Sequence, residues 1–296
     1  MPTARCITPP DPMSATHERT LRDARSWFRL DLAALWRYRD LLYLLVRRDF
    51  VSRYQQTILG PLWFLIQPLI TTVVFTVVFG RVLRAPTDGL PPFLFYLCGM
   101  LGWGYFFNAI SGICNTFSEN TAIFTKVYFP RLIVPLASVL THLATFAVQA
   151  VLFLGFYLYF ELANPSAHAF RPDVAALLLL PLALLQSAAL ALGGGLITSS
   201  LSAKYRDLQH AVPFFLQLWI YATPVVYPLS HLGPRGQWLA SLNPMTSVVE
   251  CFRRAFFGTG TLSVGYALLS VASTLVILTI GLILFQRTER TYADLA

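Results

Sequence analysis

The stretch whose reading decides the fold is RRDFVSRYQQTILGPLWFLIQPLITTVVFTVVFGRVLR, Arg47 to Arg84. Charges crowd its front, and then no residue is charged from Tyr54 to Gly80. Such a run exceeds the roughly 20 apolar residues that cross a bilayer as a helix. Gly60-Pro61 and Gln67-Pro68 interrupt it. Proline and glutamine are poor choices for a passive tether, but a helix packed among others tolerates them, because neighbours satisfy the freed backbone. The stretch reads as the wall of a membrane structure more than as an anchor.

Composition extends that reading to the whole chain. Of 296 residues, 56% are hydrophobic and only 12% charged, against about 25% charged in a soluble domain. The net charge of +8 would suit a nucleic acid if the arginines formed one basic stripe. They flank apolar runs instead, so the charge is read as topology and no nucleic-acid partner is expected. Cutting at charges leaves uncharged windows at 54–80, 89–118, 132–160, 174–203, 208–234 and 255–286. The expected fold is therefore an all-α integral membrane protein of six spans, at about 59–80, 93–114, 132–160, 174–201, 211–228 and 262–286. The six-span domain fills 54–290, with a cytoplasmic C-terminus at 291–296.

With the N-terminus inside, sixteen Lys and Arg fall in cytoplasmic segments and six outside. That asymmetry places both termini in the cytoplasm. Residues 1–30 are polar, carry prolines at 2, 9, 10 and 12, and lack an apolar core with a cleavage site. They read as a disordered cytoplasmic tail with no signal peptide. Residues 31–53 read as an amphipathic helix lying on the membrane. Leu32, Leu35, Trp36, Leu42, Tyr43, Val46 and Phe50 share one face, with Arg37, Asp40, Arg47 and Arg48 opposite, and Arg39 and Asp49 breaking the pattern.

Chemistry inside the spans is sparse. Ionisable residues at that depth mark relays or ion sites, and the six expected spans hold His142 and no carboxylate. A lone histidine there reads as a helix–helix hydrogen-bond donor. Glu250 is followed at helical spacing by Arg253 and Arg254, so a local ion pair accounts for it. Gly193-Gly194-Gly195 has no GK[ST] after it, so it is no phosphate loop and instead lets a second helix approach closely. Energy for uphill transport must come from another chain. Cys6, Cys98, Cys114 and Cys251 show no paired spacing; no metal site is expected, and a Cys98–Cys251 bridge is conceivable only if both face outward.

Aromatics are plentiful: Tyr54, Trp63 and Phe64; Trp103, Phe106 and Phe107 in GWGYFF; Phe214, Phe215, Trp219 and Tyr221 in FFLQLWIYATPVVYP. They suit an interfacial belt or packing, or a lining on which sugar C–H faces stack and slide. Trp219 and Tyr221 lie deepest and fit the belt least. On the cytoplasmic side, TFSENTAIFTKVYFPRLIVP (116–135) is longer than a plain turn and can hold a short capped helix through Phe124–Tyr128 that fits a groove on a soluble partner. SAKYRDLQH (202–210) is compact and charged. On the outer side, HLGPRGQWLASLNPMTSVVECFRRAFFG (231–258) reads as two short helices broken at Asn243-Pro244 and ending at Gly258, too short to cross and able to dip in as a re-entrant pair.

The opening stretch, with KVYFPRLIVPLASV, AKYRDLQHAVPFFLQLWIYATPVVYPLS and LNPMTSVVECFRRAFFG, closely resembles ABC-2 type permeases of polysaccharide exporters. These include O-antigen (Wzm-type), teichoic-acid and capsule export permeases. The resemblance covers about 32–290. It implies a homodimer bound to two ABC ATPase subunits, which use ATP and Mg while this chain binds no cofactor. It implies a bacterial inner-membrane location and a polyprenyl-pyrophosphate-linked glycan as cargo, with the O-antigen of lipopolysaccharide preferred from the Ala, Leu and Arg richness. It makes 31–53 the interface helix. It makes 118–128 (Glu119, Asn120, Phe124, Lys126) and 202–210 (Lys204, Tyr205, Arg206, Asp207) the coupling helices. Trp238, Asn243, Pro244, Glu250, Arg253 and Arg254 then belong to the outer gate, and the aromatics line a channel. Arg48 and Arg53, with Tyr54, suit the pyrophosphate where cargo enters, because a guanidinium fork pairs with its oxygens; both arginines also serve topology alone. Two alternatives stand beside this. One is the same fold exporting a drug or small lipid. The other is a membrane-embedded glycosyl- or acyltransferase, which needs acidic or histidine clusters that the sequence does not show.

Overall fold

Inside a bilayer, uncharged segments satisfy their backbone as helices or as a closed barrel. This chain takes the first course. The computed structural model describes residues 32–52, 58–120, 129–163, 170–261 and 263–293, and they are helical with no strand among them. The expected tail over 1–30, and Arg53, Tyr54, Phe124 and Lys126, lie outside the described residues.

In chain order the helices are α1 (Leu32–Arg37), α2 (Arg39–Ser52), α3 (Trp63–Phe75, continued by a π-helical stretch Thr76–Val82), α4 (Pro92–Cys114) and α5 (Thr116–Glu119). Then follow α6 (Ile133–Ala163), α7 (Val174–Ser202), α8 (Leu208–Ala222), α9 (Pro234–Ser241), α10 (Pro244–Phe257) and α11 (Val264–Ala293). Among the described residues, five are long and apolar enough to cross a membrane: α3 with its π continuation, α4, α6, α7 and α11.

The fifth expected span, 211–228, behaves differently. Its helix α8 is 15 residues long and stops at Ala222, a rise of about 22 Å against about 30 Å of hydrocarbon. Pro224 supplies the reason: it cannot donate to Ile220, and it disfavours helical geometry at Thr223, which is extended (ψ 143°).

Helix α4 is the central post. Leu94, Phe95, Cys98, Ala109 and Ile113 on it are fully enclosed, as expected of a helix that is apolar all round. It packs against α3, α6, α7, α8 and α10. On one side α7 and α11 meet backbone to backbone. A Cβ built on Gly193 would stand 2.6 Å from the Leu278 Cα, and one on Gly195 would stand 2.7 Å from the Ile113 Cβ. The glycine run thus serves close helix approach.

The surface helix corrects part of its sequence reading. The stripe packed on the body is Leu35, Tyr38, Leu41, Leu42, Leu45 and Val46, against Phe129, Ile133, Val134 and Ala137. Trp36 and Tyr43, expected on that face, stay 71% and 67% exposed. A helix at a bilayer surface can rest one apolar strip on protein and leave another for lipid, so a single apolar face was too simple.

Candidate functional site

The site begins with a proline. Pro68 has no N–H, so the carbonyl of Phe64 four residues earlier loses its helical donor. Gln149 of α6 replaces it, its Nε2 donating to Phe64 O at 3.3 Å. That bond ties α3 to α6 at the floor of a groove of about 410 Å³ bounded by α3, α4, α6 and α8. Phe64, Phe75, Trp103, Phe107 and Tyr221 form its aromatic wall. Gln67, Thr71, Asn108, Thr145 and Gln217 bring uncharged hydrogen-bonding groups to the same space.

Among the described residues, no acidic or basic side chain lines this groove. The side-chain amides of Gln67, Asn108 and Gln217 have no hydrogen-bond partner among the described residues, and Gln67 and Gln217 are exposed. The π-helical stretch turns Phe79 toward Phe75 (ring centroids 5.4 Å), and both approach Tyr221 at 6.4–6.5 Å. The aromatic wall therefore continues above the groove toward the α3–α4 loop.

On the opposite face of α8 lies a second groove of about 300 Å³, lined by Phe106, Leu190, Phe215, Leu216, Trp219 and Ile277 among others. It is apolar; Thr198, its one hydroxyl among the described residues, donates to Gly195 O within its own helix. The aromatics picked from sequence are therefore divided. Phe64, Trp103, Phe107 and Tyr221 meet in the first groove, and Phe106, Phe215 and Trp219 in the second. Trp63 and Phe214 are exposed and line neither. Helical period explains the division: Phe215 and Trp219 share one stripe, Gln217 and Tyr221 another, with the stripes about 200° apart.

Past the end of α8 the non-helical backbone leaves carbonyls that need donors, and α10 brings them. The side chain of Arg253 is fully buried. Its Nη2 donates to Val225 O at 2.9 Å, and its Nη1 donates to Tyr227 O at 3.4 Å and to Glu250 Oε1 at 3.0 Å. The guanidinium lies 3.9 Å from the Phe95 ring centroid. Glu250 accepts from Thr261 N through its other oxygen at 3.0 Å. Asn243 caps α10, accepting from Met245 N at 3.1 Å, and its Nδ2 donates to Thr223 Oγ1 at 2.8 Å. The expected Glu250–Arg253 pair is present, but it is a sealed clasp on broken backbone.

Arg254 points elsewhere, to Asp173 Oδ2 at 2.8 Å. Asp173 caps α7, and the Arg254 guanidinium holds its carboxyl below the usual carboxylate range. Gly258 ends α10 at φ +69°, where a Cβ would strike the Arg171 carbonyl. Pro244 is buried at the start of α10, while Trp238 on α9 is 53% exposed.

On the other side of the protein, Arg48 is bound to Asp49 at 2.7 Å and donates to Asn120 Oδ1 at 3.3 Å. Asn120 is buried and donates back to Thr116 O, while Glu119 is exposed. Lys204, Tyr205, Arg206 and Asp207 form an exposed turn, with Lys204 over the Tyr205 ring at 5.3 Å. His142 turns its Nδ1 onto Ser138 O of its own helix at 2.7 Å, and its ring fills the space beside Gly112. Cys98, Cys114 and Cys251 are buried free thiols.

Reading the sequence for ionisable groups missed Asn108, Gln149 and Gln217. Their signal was present: amides inside apolar runs are as conspicuous as charges once lipid is the solvent.

These features define a multi-span membrane protein whose charge-free groove combines aromatic rings with amides, beside a clasped helix break. The chain belongs to the ABC-2 type transporter family, whose model matches residues 40–257. It is similar to the O-antigen export system permease protein RfbA of Myxococcus xanthus, 31% identical over 225 residues, covering 75% of this chain and 82% of that one. It is similar to RfbA of Klebsiella pneumoniae at 24% over 256 residues (86% and 95% covered). It is also similar to the polysialic acid transport protein KpsM of Escherichia coli at 24% over 244 residues (82% and 91% covered).

Proposed function

We propose that this chain is the membrane-spanning permease subunit of an ATP-driven exporter that carries a lipid-linked polysaccharide out of the cytoplasm, with O-antigen the first candidate. The observation that carries this reading is the charge-free groove of rings and unpaired amides in a chain of the ABC-2 family. Pyranose rings present C–H faces to aromatics and hydroxyls to amides, and weak repeated contacts let a chain slide. The relatives' printed functions, O-antigen export and polysialic acid transport, point the same way.

In this proposal, two copies of the chain and two copies of an ABC ATPase form the exporter in the bacterial inner membrane, with both termini cytoplasmic. ATP and Mg belong to the partner. The outward apolar row Ile70, Val73, Val74 and Val77 of α3 gives a second copy or lipid a surface to cover. α8 and the turn after it make the sixth crossing. α9 and α10 form the outer gate, with Trp238 at its exposed edge and the Arg253 clasp at its root. The exposed turn Lys204–Asp207 and the segment from Glu119 through Phe124 and Lys126 receive the ATPase stroke. Arg48 and Arg53 flank the place where the pyrophosphate enters.

Deletion of the gene tests this. Surface polysaccharide is expected to disappear while polyprenyl-linked glycan accumulates inside, as read by mass spectrometry. Export of a small lipid is the second reading, favoured by the apolar groove against Trp219. It predicts intact surface polysaccharide after deletion.

A further inference from the structure

We infer that the groove between α3, α4, α6 and α8 selects a neutral, hydroxyl-rich glycan and excludes one that carries a carboxylate or phosphate in every repeat. The inference rests on the polysaccharide-export reading and narrows its cargo.

Three amides converge on the groove from three different helices: Gln67 from α3, Asn108 from α4 and Gln217 from α8. Each offers a carbonyl acceptor and two N–H donors, and none has a side-chain partner among the described residues. An amide taken out of water is costly unless bonded. A ligand made of hydroxyls, each both donor and acceptor, satisfies both halves of an amide. A carboxylate only accepts, so it satisfies the N–H groups and leaves the carbonyls wanting.

The walls select in the same direction. Aromatic faces carry the negative side of a quadrupole, which welcomes polarised C–H groups and repels anions. An anion out of bulk water also needs a counter-charge, and the lining holds none among the described residues. The nearby buried cation, Arg253, is spent on Glu250 and on two backbone carbonyls. A polyanion threading this path would carry its charges one after another past a surface with nothing to neutralise them. A neutral chain meets the same surface with every group matched.

The test has two arms in the organism that carries the gene. In the first, the surface glycan lost on deletion is purified, and its repeat unit is analysed for hexuronate, sialate and phosphate. A neutral repeat is expected. An acidic group in every repeat overturns the inference while leaving the export reading intact, whereas loss of no glycan overturns both. In the second arm, the deletion is complemented with Gln217→Glu or Asn108→Asp, near-isosteric changes that put a carboxyl in the groove. At wild-type membrane abundance, export is expected to fall at least tenfold. Undiminished export by a normally abundant Gln217→Glu protein overturns the inference. Should both variants fail to accumulate, the repeat-unit analysis decides alone.

Discussion

The two sides of α4 are built on opposite principles. Toward α7 its side chains meet glycines, Ile113 against Gly195, and behind that α7 meets α11 glycine on backbone, with no room for a methyl group at Gly193. Toward α3 and α8 the helices stand apart around a groove whose amides await partners. The burial of the spans follows suit: 28% and 22% of the most apolar windows of α7 and α11 are buried, but 11% of that of α3. Similar apolar helices thus have different duties. The tight side holds the protein together, and the open side gives it something to do. Substitutions on the tight side should cost folded protein, and those on the open side should cost transport.

The largest effect is expected at the glycine seam. Gly193→Leu forces α7 away from α11, where even a Cβ would stand 2.6 Å from the Leu278 Cα. The monodisperse peak in detergent should vanish, and a peak at wild-type yield would mean the seam is looser than it looks.

Next comes the clasp. Arg253→Met strands the buried Glu250 and the carbonyls of Val225 and Tyr227. Breaking a buried pair from one side costs about 3–5 kcal/mol, visible as a large fall in the thermal midpoint. Adding Glu250→Gln should recover part of the loss, because the stranded charge is then gone.

Third is the proline-freed carbonyl. Gln149→Leu leaves Phe64 O without its donor, a loss of about 1–3 kcal/mol. Pro68→Ala in the same chain restores an N–H at position 68 and should rescue the midpoint. Absence of rescue would show that Gln149 matters for another reason.

On the open side, Gln217→Leu should leave the thermal midpoint within about 0.5 kcal/mol of the wild type, since the amide bonds nothing among the described residues. Export of the surface glycan should fall all the same. A stability loss without a transport loss would reverse the comparison.

The smallest effect is in acid. The Arg254 hydrogen bond depresses the folded-state pKa of Asp173 below its ordinary value, about 3.9. The stabilisation is therefore fully present above about pH 4. It is lost as pH falls through the lower folded value. Asp173→Asn should lower the thermal midpoint slightly at neutral pH and match the wild type once Asp173 is protonated in acid, which flattens the acid limb of the melting curve.

Much of this was legible in the residues. The charge-free windows, the break at Asn243-Pro244 and the stop at Gly258 follow from lipid solvation and from backbone geometry that proline and glycine impose locally. The glycine run announced a close approach. Legibility ended where a side chain's partner lies far along the chain. Arg253 and Glu250 are three residues apart, but the carbonyls that need Arg253 sit at Val225 and Tyr227. The aromatics of α8 look like one set in sequence, and the turn of the helix sends them into two grooves.

By itself, then, the sequence determined a membrane protein of long helices, with breaks placed by proline and glycine, because lipid leaves a backbone few choices. Only the tertiary structure decided which helix is the post and which the wall. In a chain apolar on nearly every face, periodicity cannot say which neighbour a face will meet. That was settled by where a missing methyl group lets two backbones touch, and by where a missing N–H calls for another helix to supply one.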